Sequence, residues 1–308
     1  MKVILSRCFL GELHTYKQLC TYTINKKKVK TITICKIYDI RGGQCYNMFQ
    51  IVCKSNECLD YYPDNKANNF QKKVLPLTHQ GYNTLEVALV EIVVPSEIKN
   101  VRNGYNTIEI SQTEISENPD GTIKASEFYV PYTIEPGSYT LNSLIDEINK
   151  KVNYSMTLYF KLGLNKKTNQ AWLSTDKEIK IKFGIDIAKI LGYNAGEWIK
   201  LSKEKELSTY QFGPRQDLSM LHIYSNVVAE SYMGEFTHQL LRIVNWNQSG
   251  KKQNSASLTY DRPYFMPVKH TDIDTIQIEI RDNLNIPVEF VYADEPVMAI
   301  LEFREKKL

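Results

Sequence analysis

The sequence lacks most of what marks a membrane protein, a disulfide scaffold or an enzyme. No apolar run approaches the ~20 nearly uninterrupted residues that a bilayer-spanning helix needs. The most apolar stretch, residues 85–95, is broken by Glu86 and Glu91. Ahead of Ser6 and Arg7 stand only Val3, Ile4 and Leu5, too short for the apolar region of a secretory signal, so an intracellular product with no membrane span is expected. Cysteine is absent after Cys58. The six present are Cys8, Cys20, Cys35, Cys45, Cys53 and Cys58, and none forms the tight pairs of a zinc site. The closest spacing, Cys53 to Cys58, has no second pair near it, and the next histidine downstream is His79. Free thiols in a reducing compartment are the expectation.

Motifs for chemistry are missing as well. The chain has no phosphate-cradling Gly-x-x-x-x-Gly-Lys, no Gly-x-Gly-x-x-Gly, no Gly-x-Ser-x-Gly and no His-Glu-x-x-His, and Arg41-Gly42-Gly43 is a plain turn. A metal-dependent β-barrel enzyme needs clustered imidazoles with a carboxylate, whereas His222, His238 and His270 stand on separate strands or loops. Asp272 and Asp274 precede an alternating apolar run and read as a turn and its cap. No enzyme activity, cofactor, metal or catalytic residue is therefore expected.

What is present divides unevenly. Across 308 residues, 38 Lys and Arg face 35 Asp and Glu. Residues 1–47 hold nine basic residues against Glu12 and Asp39, while residues 48–308 carry a net charge of −4. The first 47 residues read as a basic, cysteine-rich arm or upstream extension. Lys26, Lys27, Lys28 and Lys30, with Tyr16 and Tyr22 nearby, are where nucleic acid would bind if anywhere; the acidic body has the wrong sign for it.

From Met48 onward the texture is that of strands. Leu85, Val87, Leu89 and Val93 alternate with Glu86, Ala88, Val90 and Ile92, as in a strand covered on both faces. Ile276, Ile278 and Ile280 alternate with Gln277, Glu279 and Arg281, and Val297, Ala299, Leu301 and Phe303 repeat that period of two. Residues 221–228 and 240–246 are further β-rich runs. The middle differs. Leu141, Leu144, Ile145, Ile148 and Val152 fall at helical spacing after Thr140, a candidate cap. Strands are expected over 156–160, 170–174 and 179–183, and a short helix over 185–191 ending at Gly192. The fold class that follows is mainly β: a single jelly-roll β-sandwich, built from 48–103 and 214–308, with an inserted α+β subdomain over 104–213. Tyrosine is abundant, 20 in all. Tyr61, Tyr62, Tyr82, Tyr105, Tyr224, Tyr232, Tyr260 and Tyr264 lie in or beside expected loops, where a shell subunit would meet its neighbours.

Several stretches in one order resemble the penton (minor capsid) proteins of Maverick/Polinton elements and mavirus-like virophages. They begin at Met48-Phe49-Gln50-Ile51-Val52 and continue with Tyr62-Pro63-Asp64-Asn65, Asn69-Phe70 and residues 82–95. The central ones are Glu135-Pro136-Gly137-Ser138-Tyr139 and Ile190-Leu191-Gly192-Tyr193. The C-terminal ones are Tyr224, Gly234, Leu240-Leu241-Arg242, Pro263-Tyr264-Phe265-Met266-Pro267-Val268, Asp274-Thr275-Ile276, Arg281-Asp282, Pro287-Val288 and Phe303-Arg304. The loop after Asp282 departs from the family, which reads Asp-Asp-Thr-Gly there. The resemblance implies a structural protein forming pentamers at the fivefold vertices of an icosahedral particle, assembled inside the host cell and located in the virion capsid. Its implied partners are four further copies of itself and a double jelly-roll major capsid protein. The motif residues are expected to act as scaffold: Pro63 fixing a turn that Asp64 and Asn65 close, and Arg281 pairing with Asp282 across a strand end. The alternative is a host-surface or glycan-binding jelly roll of a virus or mobile element, with the insertion meeting a host receptor.

Overall fold

The structure, a computed structural model, describes residues 3–8, 15–23, 31–41, 44–78, 84–117, 122–155, 159–213, 218–246, 254–270 and 272–306. The chain divides into two compact units, Met1–Glu97 with Ser219–Leu308, and Ile98–Leu218. The expected insertion boundaries, 104 and 213, both fall within the second.

The first unit opens with β1 (Val3–Cys8), β2 (Thr15–Thr23) and β3 (Thr31–Arg41), then β4 (Gln44–Lys54), β5 (Asn69–Thr78) and β6 (Thr84–Pro95). The second unit contributes β7 (Thr107–Glu117), β8 (Ile123–Thr133), helix α1 (Leu141–Ser155), β9 (Phe160–Asn165), β10 (Gln170–Thr175) and β11 (Ile179–Phe183). It finishes with helix α2 (Ile185–Leu191), β12 (Ile199–Leu201) and β13 (Glu206–Leu207). The chain then returns to the first unit as β14 (Met220–Ser225), β15 (Ser231–Met233), β16 (Phe236–His238) and β17 (Leu240–Asn245). Last come β18 (Ser255–Thr259), β19 (Met266–Pro267), β20 (Asp272–Asp282) and β21 (Met298–Lys306).

Eight of these strands build the sandwich. One sheet runs β4-β21-β6-β18 and the other β5-β20-β14-β17, with every neighbouring pair antiparallel. Counted along the chain, the orders are first-eighth-third-sixth and second-seventh-fourth-fifth. This interleaving of two Greek keys across two sheets is a jelly roll. The alternating residues explain it: Ile273, Ile276, Ile278 and Ile280 of β20, and Ala299, Leu301 and Phe303 of β21, are all buried. Leu85, Glu86, Val87, Ala88 and Leu89 of β6 are buried on both faces, whereas Val90, Glu91 and Val93 further along are half-buried.

Strands were expected only from Met48, yet β4 starts at Gln44 and β1, β2 and β3 extend the same sheet beyond it in antiparallel order. The lysines there mask a β-branched run, Thr31-Ile32-Thr33-Ile34, of good strand propensity.

The second unit has its own core. Two sheets, β12-β11-β7-β8 and β13-β10-β9, and both helices pack Ile108, Ile110, Leu144, Ile148, Phe160, Leu173, Ile181 and Phe183 into one cluster. Thr140 caps α1, its Oγ1 accepting the Ser143 amide at 3.2 Å. Gly192 ends α2 at φ +81°. The strand expected at 156–160 begins instead at Phe160 and runs to Asn165, with 156–158 outside the described residues. Below α2 lies a buried ion pair. Asp186 Oδ2 accepts the Arg102 backbone amide at 2.8 Å and Nε at 3.0 Å, and Asp186 Oδ1 accepts Nη2 at 2.7 Å. Both side chains are at most 1% exposed.

Candidate functional site

Among the described residues, no three His, Cys, Asp or Glu side chains are grouped so as to hold a metal. Two of the three histidines approach one tyrosine: the Tyr224 ring lies 6.3 Å from His222 and 5.8 Å from His238. Burial pushes the His222 imidazole below its usual pKa, opposed by the Asp282 carboxylate and reinforced by His238. His270 is exposed on the loop before β20. Cys53 is buried and its thiol is pushed up to about 12, mainly by desolvation.

The motif residues hold loops to strands. In the loop between β4 and β5, the Tyr62 hydroxyl sits 2.9 Å from Thr275 Oγ1 of β20. The Asn65 amide donates to the Glu57 and Gln71 carbonyls, and its Oδ1 accepts the Gln71 amide. The Asn65 backbone amide donates to the Tyr62 carbonyl at 3.2 Å, closing the turn around Pro63, while its side chain ties the loop to β5; Pro63 and Asp64 are exposed. Phe70 plugs the core just beyond, 1% exposed. Asp274 is not a turn cap: it lies in β20 and pairs with Lys73 of β5 at 2.7 Å, which holds its carboxyl below the usual range. At the far end of β20 the expected Arg281–Asp282 pairing is replaced by two separate roles. Arg281 binds Glu279 at 2.7 Å and the Asn285 carbonyl at 2.9 Å. Asp282, fully buried, accepts the Leu284 and Ile286 amides, shaping the turn where Asn285 adopts φ +63° and Pro287 bridges back to Arg281.

In β21, Phe303 stacks on Phe49 at 5.1 Å, and Arg304 bonds Glu86 of β6 through Nε and Nη2 while its guanidinium covers Phe265 at 3.7 Å. Arg242 of β17 lies 3.5 Å over the Tyr260 ring. Pro136 leads into Gly137, whose backbone exchanges two hydrogen bonds with Val101. A Cβ at Gly192 would meet the Tyr210 carbonyl oxygen at 2.3 Å.

One end of the sandwich is the best candidate for contact with other molecules. The β15–β16 hairpin turns at Gly234, φ +64°, and is tied to the segment around Pro267: Ala229 donates to the Pro267 carbonyl, Lys269 to that of Val227, and Lys269 pairs with Glu230 at 2.8 Å. Pro263 lies half-buried in the same segment. On this braced platform Tyr232, Phe236 and Tyr264 are 84%, 70% and 69% exposed. Of the tyrosines expected in loops, Tyr61 is also exposed, Tyr62, Tyr105 and Tyr260 are half-buried, and Tyr224 is buried; Tyr82 lies outside the described residues.

Neither a family model nor any curated protein matches the chain. Among solved structures it is similar to the mavirus penton protein, with 11% identity, a TM-score of 0.42, and coverage of 85% of this chain and 99% of that one. The jelly-roll assignment rests on the strand order described above, not on that likeness. Residues that sequence reasoning missed are Arg102 and Asp186, together with Tyr129 and Trp198 on the second unit. The first two are 84 positions apart, and neither pair carries any local signature.

Proposed function

We propose that this chain is a structural capsid protein that forms cyclic pentamers at the fivefold vertices of an icosahedral particle, with a double jelly-roll major capsid protein as its neighbour. The observation that carries the reading is the interleaved strand order of the two four-stranded sheets, the architecture of viral capsid and lectin domains and of cupins. Two further features support it over the other uses of that architecture. The motif residues that resemble the penton family brace loops and strand ends. At one end, exposed aromatics stand on a hydrogen-bonded platform, as a ring of identical subunits in head-to-tail contact requires of one of its two unlike faces.

Native mass spectrometry of the purified chain, alone and mixed with its major capsid partner, should give a five-subunit species. A monomer in both samples would count decisively against the reading. Replacing Tyr232 and Phe236 together by serine should shift pentamer toward monomer without lowering the melting temperature, since both rings are solvent-facing.

A further inference from the structure

The outer face of the β12-β11-β7-β8 sheet carries an arrangement that packing of the second unit does not explain. Tyr129 projects from the edge strand β8, and Trp198 precedes the opposite edge strand β12. Two strands separate them, yet their rings lean over the sheet to within 5.4 Å, tilted at 45°. They remain 56% and 38% exposed. Beneath them the sheet is polar. Lys182 Nζ lies 5.0 Å from the Trp198 ring and pairs with Glu109 at 2.6 Å. One row further along, Glu127 accepts from both Ser111 and Lys180, which holds its carboxyl below the usual range. A hollow of about 480 Å3 opens beside Ser111, Glu127, Lys180 and Lys200.

We infer that this face binds a neutral or weakly acidic oligosaccharide, one pyranose ring lying against Tyr129 and Trp198 and its neighbour filling the hollow. Aromatic faces offer apolar area to the C–H side of a sugar at low entropic cost. Charge sets the ligand class. Lys180, Lys182 and Lys200 are balanced by Glu109, Glu127 and Glu178 on the same face, so a polyanion gains nothing there. An apolar protein surface laid over the two ion pairs would desolvate them without replacing their hydrogen bonds, whereas hydroxyl groups both donate to carboxylates and accept from ammonium groups. The inference does not rest on the pentamer, and assembly and saccharide binding are read out separately.

The test is titration of the full chain with lactose, sialyllactose, chitotriose and maltotriose, followed by saturation-transfer NMR. At least one should bind, with a dissociation constant on the order of 1 mM or tighter. Trp198→Ala and Tyr129→Ser should each weaken that binding at least tenfold, and Tyr232→Ser on the first unit should leave it unchanged. If Trp198→Ala lowers the melting temperature, Tyr129→Ser alone decides, because its ring is the more exposed. Binding of none of the four saccharides, or binding that both variants leave intact, overturns the proposal. So does a change in oligomeric state caused by the two variants in place of a change in saccharide affinity, which would make the face a contact between copies of the chain.

Discussion

Arg102 and Asp186 show how much a single pair can carry. Both charges are out of water; the Asp186 carboxylate is held by the Arg102 guanidinium and backbone amide, and the guanidinium also lies 5.0 Å from the Tyr105 ring. Removing one partner strands the other, so Asp186→Ala should destabilise the second unit by about 3–5 kcal/mol, read from urea unfolding. The double replacement Arg102→Met, Asp186→Leu should recover much of that loss, since an apolar pair leaves no buried charge. Asp186 looks like any first-turn helix acid in the sequence, and Arg102 like a loop residue. Only the packing of α2 against the chain entering the unit brings them together. His222 is a milder case. In the folded protein burial keeps it neutral, while in the unfolded chain it takes a proton near pH ~6.5. The unfolded state therefore binds more protons, and the contribution of His222 is fully present above that pH and lost as pH falls through its lower folded value. His222→Gln should flatten the dependence of melting temperature on pH between about 7 and 5.

At the scale of elements, what could be read depended on whether one face is wet and the other dry. Helix α1 and strands β20 and β21 have a clear period because one side meets a core and the other does not. The β7–β8 hairpin escaped because β8 exposes Phe128 and Tyr129 and carries Pro131, a mixture that breaks alternation. Edge strands tolerate such residues, and here the exposed Tyr129 forms half of the proposed saccharide platform. Stops were more legible than starts. The end of α2 was evident from Gly192, and the structure gives the reason: a left-handed backbone and a carbonyl of Tyr210 where a side chain would stand. Gly192→Ala should lower the stability of the second unit by more than the ~1 kcal/mol of an ordinary left-handed position, since Tyr210 must also move. Thermal unfolding followed by circular dichroism would show it.

Across the whole molecule, the count of strands and the double coverage of β6 were enough to expect a jelly roll, but not the pairing of each strand. Pairing joins residues as far apart as Gln50 and Glu302, and no local pattern specifies such a partner. The second unit differs in kind: it is contiguous, and its core is complete within Ile98–Leu218. Expressed by itself, that segment should unfold in a single cooperative transition; a non-cooperative melt would show that it depends on the sandwich.

The position of β21 bears on the order of synthesis. Of the eight sandwich strands it is made last, yet it lies in the interior of its sheet, between β4 and β6. While the ribosome is still translating residues before 298, β4 and β6 have no strand to join them, so their inner edges remain open to other nascent chains. The second unit, finished at residue 218, can be folded throughout that interval. Closure of the sandwich then waits for β21, and with it the formation of any surface that needs both sheets in place. Copies of the chain emerging from the same message would each present a closed sandwich only once β21 has been made.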